Sequence, residues 1–343
     1  MKIAMAQRRA GQAIWHHHGD AVLAIGVWTE RRPGHGEDAE PLWIHHVPTG
    51  EGIMGVFDGS GGSGASIACE SPRGLPRSGA WVGARVARAG VESWFCGCVQ
   101  EGTAFEPESL RAHLHLLLDR MRPAGRSKVV GTMRHDLPTT MAVVRYRLSG
   151  DQVSCQALWA GDSRVYSLTP SGGLQALTRD HTVETDALEQ LLQDPPLTNV
   201  LCADQDFVVD SNDMVRDLPC VLVTATDGFF GYVDTPAHFE CHVLGTLRRA
   251  ASETDWAMRL ASQVSSYTGD DASISITALG YSGFEQLQES FGTRTNALLA
   301  RYGRNPPDAR HGRKALQQWR TETWHEYRPG YERCMPSSSE EQA

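Results

Sequence analysis

Apolar positions in this chain follow two rhythms. Compact runs of β-branched and aromatic residues, closed by turn residues, read as buried strands at 21–28 (AVLAIGVW) and 52–58. Further strands are expected at 139–147, 153–160, 164–169, 206–210, 220–226 and 272–280. Between them, apolar residues recur every three to four positions, as on one face of a helix. This holds from Trp81 to Phe95, from Pro107 to Met121 and at 253–267. The prolines and glycines of 71–79 predict a loop or small insertion, and Arg122–Arg134 reads as a basic, flexible connector. Asp162-Ser163 lies between two strand runs and suits a tight hairpin.

Strands first, then helices, then many strands, a helix and a last strand: this order predicts an α+β protein. It favours two antiparallel sheets flanked by helices over a doubly wound parallel sheet. Residues 1–19 form an N-terminal segment, 20–280 the main domain and 281–343 a helical extension ending in a Ser/Glu tail expected to be disordered. In that extension, 283–302 and 312–327 read as amphipathic helices. Phe284, Leu287, Phe291, Leu298 and Tyr302 form a stripe that needs a partner surface, this chain's own or another's.

Composition narrows the functional classes. A net charge of −9 over 343 residues argues against non-specific binding to nucleic acid or to an anionic membrane. No run approaches the length of a membrane span, and no apolar stretch follows the N-terminal basic residues as in a secretory signal. The eight cysteines contain no CxxC pair, and several sit in apolar runs as small hydrophobes. A reducing, cytoplasmic setting is expected.

The chemistry concentrates at acidic positions beside strand ends: Glu37-Asp38, Asp58, Asp227 and Asp270-Asp271. An aspartate followed by glycine at a strand end can point out of the sheet while the backbone lets a hydrated cation approach. One Asp-Gly alone is a common turn. Several, each flanked by strand-like sequence, fit a pair of hard divalent ions, whose ligands come from distant parts of a chain. The run Gly59-Ser60-Gly61-Gly62-Ser63-Gly64 also satisfies a dinucleotide fingerprint, but no acidic residue ends a second strand some twenty positions later, and Asp58 would repel a pyrophosphate. His16-His17-His18 reads as a solvated polar segment, His181 as a loop anchor, and Trp319 and Trp324 as docking aromatics.

Over residues 20–280 the chain resembles the metal-dependent Ser/Thr protein phosphatases of the PPM, or type 2C, group. The resemblance rests on Gly36-Glu37-Asp38-Ala39, Val56-Phe57-Asp58-Gly59, Pro138-Thr139-Thr140-Met141-Ala142, Gly161-Asp162-Ser163, Thr226-Asp227-Gly228 and Asp270-Asp271-Ala272-Ser273, in that order. It implies a four-layer α-β-β-α sandwich and a centre holding two Mn²⁺ or Mg²⁺ ions. Asp58 would bridge both ions, joined by the Gly59 carbonyl; Asp227 and Asp270 would bind the other ion, with Glu37 and Asp38 close by. Water activated by the metals would attack phosphorus directly, and Arg32, rather than Arg31, would hold the phosphate. The implied substrate is a phosphorylated protein, a kinase or other signalling component. Ser60 replaces the histidine of eukaryotic members, as in bacterial ones. Gly231 stands where an acidic residue would help Asp162 hold a third metal, and Asp271 replaces an asparagine. A catalytically inactive regulator on the same fold is the alternative; it would have no need to keep every acidic position.

Overall fold

The computed structural model describes residues 8–9, 12–19, 21–71, 74–122, 135–303, 307 and 312–337. The basic connector at 123–134 and the Ser/Glu tail at 338–343 lie outside the described residues. The described strands are β1 (Arg8–Arg9), β2 (Gln12–Gly19), β3 (Val22–Thr29), β4 (Leu42–His46), β5 (Glu51–Val56), β6 (Ile67–Glu70), β7 (Pro76–Ser78), β8 (Met141–Ser149), β9 (Gln152–Ala160), β10 (Arg164–Thr169), β11 (Gly173–Ala176), β12 (Asp210–Asp217), β13 (Cys220–Ala225) and β14 (Ala272–Leu279). Helices are α1 (Gly61–Gly64), α2 (Gly79–Glu101), α3 (Pro107–Arg120), α4 (Ala187–Gln193), α5 (Asp227–Phe230), α6 (Pro236–Arg249), α7 (Glu253–Ser265), α8 (Phe284–Tyr302) and α9 (Gly312–Tyr331).

Two antiparallel sheets face each other. One has seven strands in the order β1-β2-β3-β14-β13-β10-β11, the other five in the order β12-β9-β8-β5-β4. Side chains such as Trp43, Met54, Val144, Ala157, Val165 and Leu222 fill the space between them. α2 and α3 cover the outer face of the five-stranded sheet through Val91, Phe95, Leu114 and Leu118. α6, α7, α8 and α9 cover the seven-stranded sheet through Leu244, Trp256, Leu260 and Phe291. The result is the expected α-β-β-α sandwich. Period-two burial does not mark the central strands: β13 and β14 are buried along their whole length because both faces are covered.

Four local expectations need correction. The run 206–210 is not a strand; the chain pairs instead over β12, whose residues alternate between exposed and half-buried at the edge of the smaller sheet. His16, His17 and His18 belong to β2, paired along its length with β3. The loop at 71–79 contains β7, which makes a small ribbon with β6. Asp162-Ser163 is no hairpin: β9 belongs to the five-stranded sheet and β10 to the seven-stranded one, so this turn carries the chain between layers.

The question left open for the C-terminal stripe is answered within the chain. Phe284, Leu287, Phe291, Leu298 and Tyr302 are buried in the same cluster as β3, β13 and β14, and so are Trp324, Tyr327 and Tyr331 of α9. Trp319 packs beside His238, with ring centroids 5.4 Å apart and the rings tilted at 48°.

Candidate metal centre

Strand register brings the acids together. The C-terminal end of β13 lies opposite the N-terminal end of β14 (Ala225 with Ile274), and Ala272 lies opposite Thr29 at the end of β3. Arg164, at the start of β10, pairs with Ala225. Asp162, Asp227, Asp270 and Asp271 therefore sit at one end of the seven-stranded sheet. Asp58 follows β5 at the matching end of the other sheet, and Glu37-Asp38 lie on the β3–β4 crossing between the two.

Backbone and second-layer contacts fix each carboxylate. The carbonyl of Asp58 accepts from Thr139 Oγ1 at 2.7 Å and from the Thr140 amide at 2.8 Å. Asp38 is buried, and Oδ2 accepts from Thr226 Oγ1 at 3.1 Å. Glu37 accepts from the Ser78 hydroxyl. Asp271 serves as an anchor for the acidic loop. Its two oxygens accept the amides of Arg31 and Glu37, at 2.8 and 2.7 Å, and so hold the acidic loop in place. The Arg85 guanidinium, stacked on Trp81 at 4.0 Å, donates to the carbonyls of Glu37 and Asp38, both at 3.0 Å. Gly228 is needed for close approach: a Cβ there would stand 1.9 Å from the Asp271 carbonyl oxygen. His181 anchors the interlayer turn, its ring accepting from the Gly161 amide at 3.1 Å. The glycine run after Asp58 packs beneath the Glu37 carboxylate, whose Oε2 would lie 1.9 Å from a Cβ on Gly61. This gives the run a role with no dinucleotide.

The electrostatics are those of concentrated negative charge. Surrounding protein, then Asp38 and Asp227, push the Asp58 carboxyl well above the usual range, although Asp58 keeps an opening to solvent. Desolvation, then Asp271 and Asp227, do the same to Asp38. Asp162 is raised by desolvation and by Asp227 and Asp180. Asp227 is pushed up to about 6, chiefly by desolvation, and its carboxyl is hydrogen-bonded to that of Asp58. The cation nearest Asp162, Arg164, is engaged by Asp180 at 2.7 Å. Carboxylates packed this way hold protons unless a cation joins them.

The donor set fits hard divalent ions. All donors are oxygens, and they come from both sheets. Among the described residues, no three of these carboxylates bring one oxygen each within 4.8 Å of one another. That spacing suits ions that each take one or two protein carboxylates and keep waters, as Mg²⁺ does. Asp162, Asp227 and Asp270 line a cleft of about 300 Å³ that also reaches Tyr232 and Gly231. Asp270 is exposed at its rim. Arg32 is exposed, with its carbonyl accepting the His35 amide at 2.9 Å; Arg31 is exposed too, but its charge reaches Tyr232 at the cleft.

The sequence reading left Asp162 between a hairpin residue and a third-metal ligand, because strand runs alone do not tell which sheet each strand joins. It missed Arg85 and the loop-holding role of Asp271. No local signal marks an arginine that reaches back from a helix to two carbonyls.

This architecture, with acids at one end of two facing antiparallel sheets, is the fold of the PPM phosphatases. A crystal structure of a bacterial serine phosphatase superposes with a TM-score of 0.51 at 16% identity, covering 75% of this chain and 97% of that one. The PPM Ser-Thr phosphatase MsPP from Mycobacterium smegmatis, in complex with cacodylate, gives 0.52 at 15% identity over 76% of this chain and 100% of that one. A phosphatase from Toxoplasma gondii gives 0.53 at 14% identity over 78% and 95%. No family model matches the sequence, and no curated protein does. Among the described residues no helix is long and apolar enough to cross a membrane.

Proposed function

We propose that this chain is a metal-dependent protein serine/threonine phosphatase acting in bacterial signalling. The observation that carries the reading is the meeting of Asp38, Asp58, Asp162 and Asp227 from both sheets, where all four carboxyls are raised even though Arg164 lies near Asp162. Asp58, joined by the Gly59 carbonyl, Asp227 and Asp270 would hold two Mn²⁺ or Mg²⁺ ions, with Glu37 and Asp38 beside them. When bound, such ions lower the pKa of water and offset the charge of the phosphate. The chain's part is positional. Thr139 and Thr140 fix Asp58, and Asp271 with Arg85 fixes the Glu37-Asp38 loop. A loop arginine would hold the phosphate. The expectation was Arg32; the closeness of Arg31 to Tyr232 and the anchoring of its amide by Asp271 support Arg31. The substrates would be phosphoserine and phosphothreonine proteins, and Asp162 would serve a third, weaker ion only if Gly231 does not deprive it of a partner.

The test is Mn²⁺-dependent hydrolysis of p-nitrophenyl phosphate by the purified chain, abolished by EDTA, followed by hydrolysis of a phosphothreonine peptide. Asp58→Asn should lower kcat by on the order of 10³-fold, as loss of a central electrostatic stabiliser does, with its circular dichroism unchanged. Near-normal turnover in that variant at saturating Mn²⁺ sinks the assignment. A folded wild type that binds Mn²⁺ yet hydrolyses neither substrate points to the inactive regulator instead.

A further inference from the structure

Away from the carboxylates of the proposed centre, a second set of ligand-type side chains converges. His135, Cys202 and Asp204 bring one donor atom each within 4.8 Å of one another, the one such group among the described residues. They lie on two paired segments. Thr139 bridges to Leu201, and the Ala203 amide donates to the Asp136 carbonyl at 2.8 Å. His135 and Cys202-Asp204 are thus brought face to face by backbone pairing just outside the sheet.

Of the three, His135 presents a buried donor atom, Nδ1, with no hydrogen-bond partner. The Asp204 oxygen nearest to it is 3.6 Å away, too long for a hydrogen bond. With Zn–N bonds of about 2.0–2.1 Å and Zn–O bonds of about 2.0–2.2 Å, such a pair of ligands on one tetrahedral zinc stands about 3.3–3.5 Å apart, so the 3.6 Å seen here would close by only about 0.1 Å on binding. The other Asp204 oxygen, Oδ1, accepts from the Asp136 amide at 2.8 Å. That contact orients the carboxylate so that Oδ2 faces His135, as outer contacts orient metal ligands. Cys202 is 1% exposed, and its thiol has a weak contact to the Gln205 carbonyl at 3.7 Å.

We propose that His135 Nδ1, Cys202 Sγ and Asp204 Oδ2 form a Zn²⁺ site with one position left for water, separate from the acidic centre. A thiolate and an imidazole select a borderline-soft ion, whereas the all-oxygen centre selects Mg²⁺ or Mn²⁺, so ligand softness would sort two kinds of metal onto one chain. The site would tie the 135–140 segment to the 201–204 segment. Thr139 and Thr140 of the first also hold the Asp58 carbonyl.

The test uses the full chain, stripped with EDTA and reloaded with Co²⁺ in excess Mg²⁺. Wild type should show a thiolate-to-cobalt charge-transfer band in the near ultraviolet at one equivalent, lost when Zn²⁺ is added. Cys202→Ser should lose the band, and Asp58→Asn should keep it. His135→Gln keeps the thiol and guards against a misfolded serine variant; it should bind Zn²⁺ at least about tenfold more weakly in equilibrium dialysis. No such band in wild type, the same band in Cys202→Ser, or equal Zn²⁺ affinity in wild type and His135→Gln would each overturn the proposal.

Discussion

Two regions of this molecule gather carboxylates with little or no access to water, and they treat the charge in opposite ways. Behind the seven-stranded sheet, Glu240 is 0% exposed, yet the Arg294 guanidinium meets both of its oxygens at 2.8 Å and the Tyr327 hydroxyl donates at 2.6 Å. Close by, Arg164 grips Asp180 with two nitrogens, at 2.9 and 2.7 Å, and reaches Tyr331 and Gln190. At the strand ends, Asp38, Asp58, Asp162 and Asp227 face one another with no arginine gripping them in this way among the described residues, and all four carboxyls are raised. The first region supplies its own countercharge and is structural. The second leaves charge to be completed from outside, which is the mark of a binding site rather than of a core.

The largest effect should come from removing what covers the self-sufficient region. Truncation after Gly280 uncovers the face on which Phe284, Leu287, Phe291, Leu298 and Tyr302 pack. At about 1.5–3 kcal/mol per side chain this exceeds the margin of an ordinary domain, so the truncated chain should be insoluble or lack native near-ultraviolet dichroism. A soluble, monodisperse product would erase the distinction between core and extension. Breaking the ion pair alone is the next step. Arg294→Ala leaves Glu240 buried without its cation and should cost about 3 kcal/mol in urea unfolding, with kcat on p-nitrophenyl phosphate within twofold of wild type.

A smaller effect separates the two regions by pH. Burial pushes the Asp227 carboxyl up to about 6, well above the ordinary range of an aspartate. In that window the folded state holds more protons than the unfolded one, so without metal its contribution is greatest at low pH and is lost as pH rises through about 6. In EDTA, Asp227→Asn should therefore raise the Tm by a few degrees at pH 8, and the gain should shrink towards pH 4; a constant difference would argue against the raised carboxyl. The smallest effect is expected at Ser60, whose hydroxyl is a poor general acid near neutral pH. Ser60→Ala should leave kcat within about twofold, and a phosphorylated Ser60 trapped by mass spectrometry would replace this picture with covalent catalysis.

The same contrast explains what could be read from residues alone. Apolar central strands such as Cys220–Ala225 announce themselves, and acids placed directly after them, such as Asp227, stand out by position. β12 did not: its run of Asp, Ser, Asn, Met, Val and Arg is an edge strand, held by backbone pairing to β9 rather than by burial. α6 escaped notice because its buried stripe includes Glu240, Cys241 and Thr246, polar or ambiguous types, and Glu240 is buried against Arg294 from another helix. Asp162 was hidden for a topological reason. Two adjacent strand runs look like a hairpin until the partners of each strand are known. His135 and Cys202 are far apart in sequence and share no spacing rule, so only the pairing of Thr139 with Leu201 reveals them.

The interlayer placement of the acids has a mechanical side. Asp58 is carried by one sheet and Asp227 by the other, while Asp38 and Asp162 ride two of the crossings between them, β3–β4 and β9–β10. A cation bound across that seam, as proposed, would act as a rivet between the two plates. Sliding of one sheet over the other would change the gaps between these carboxylates, so binding there would resist shear of the sandwich.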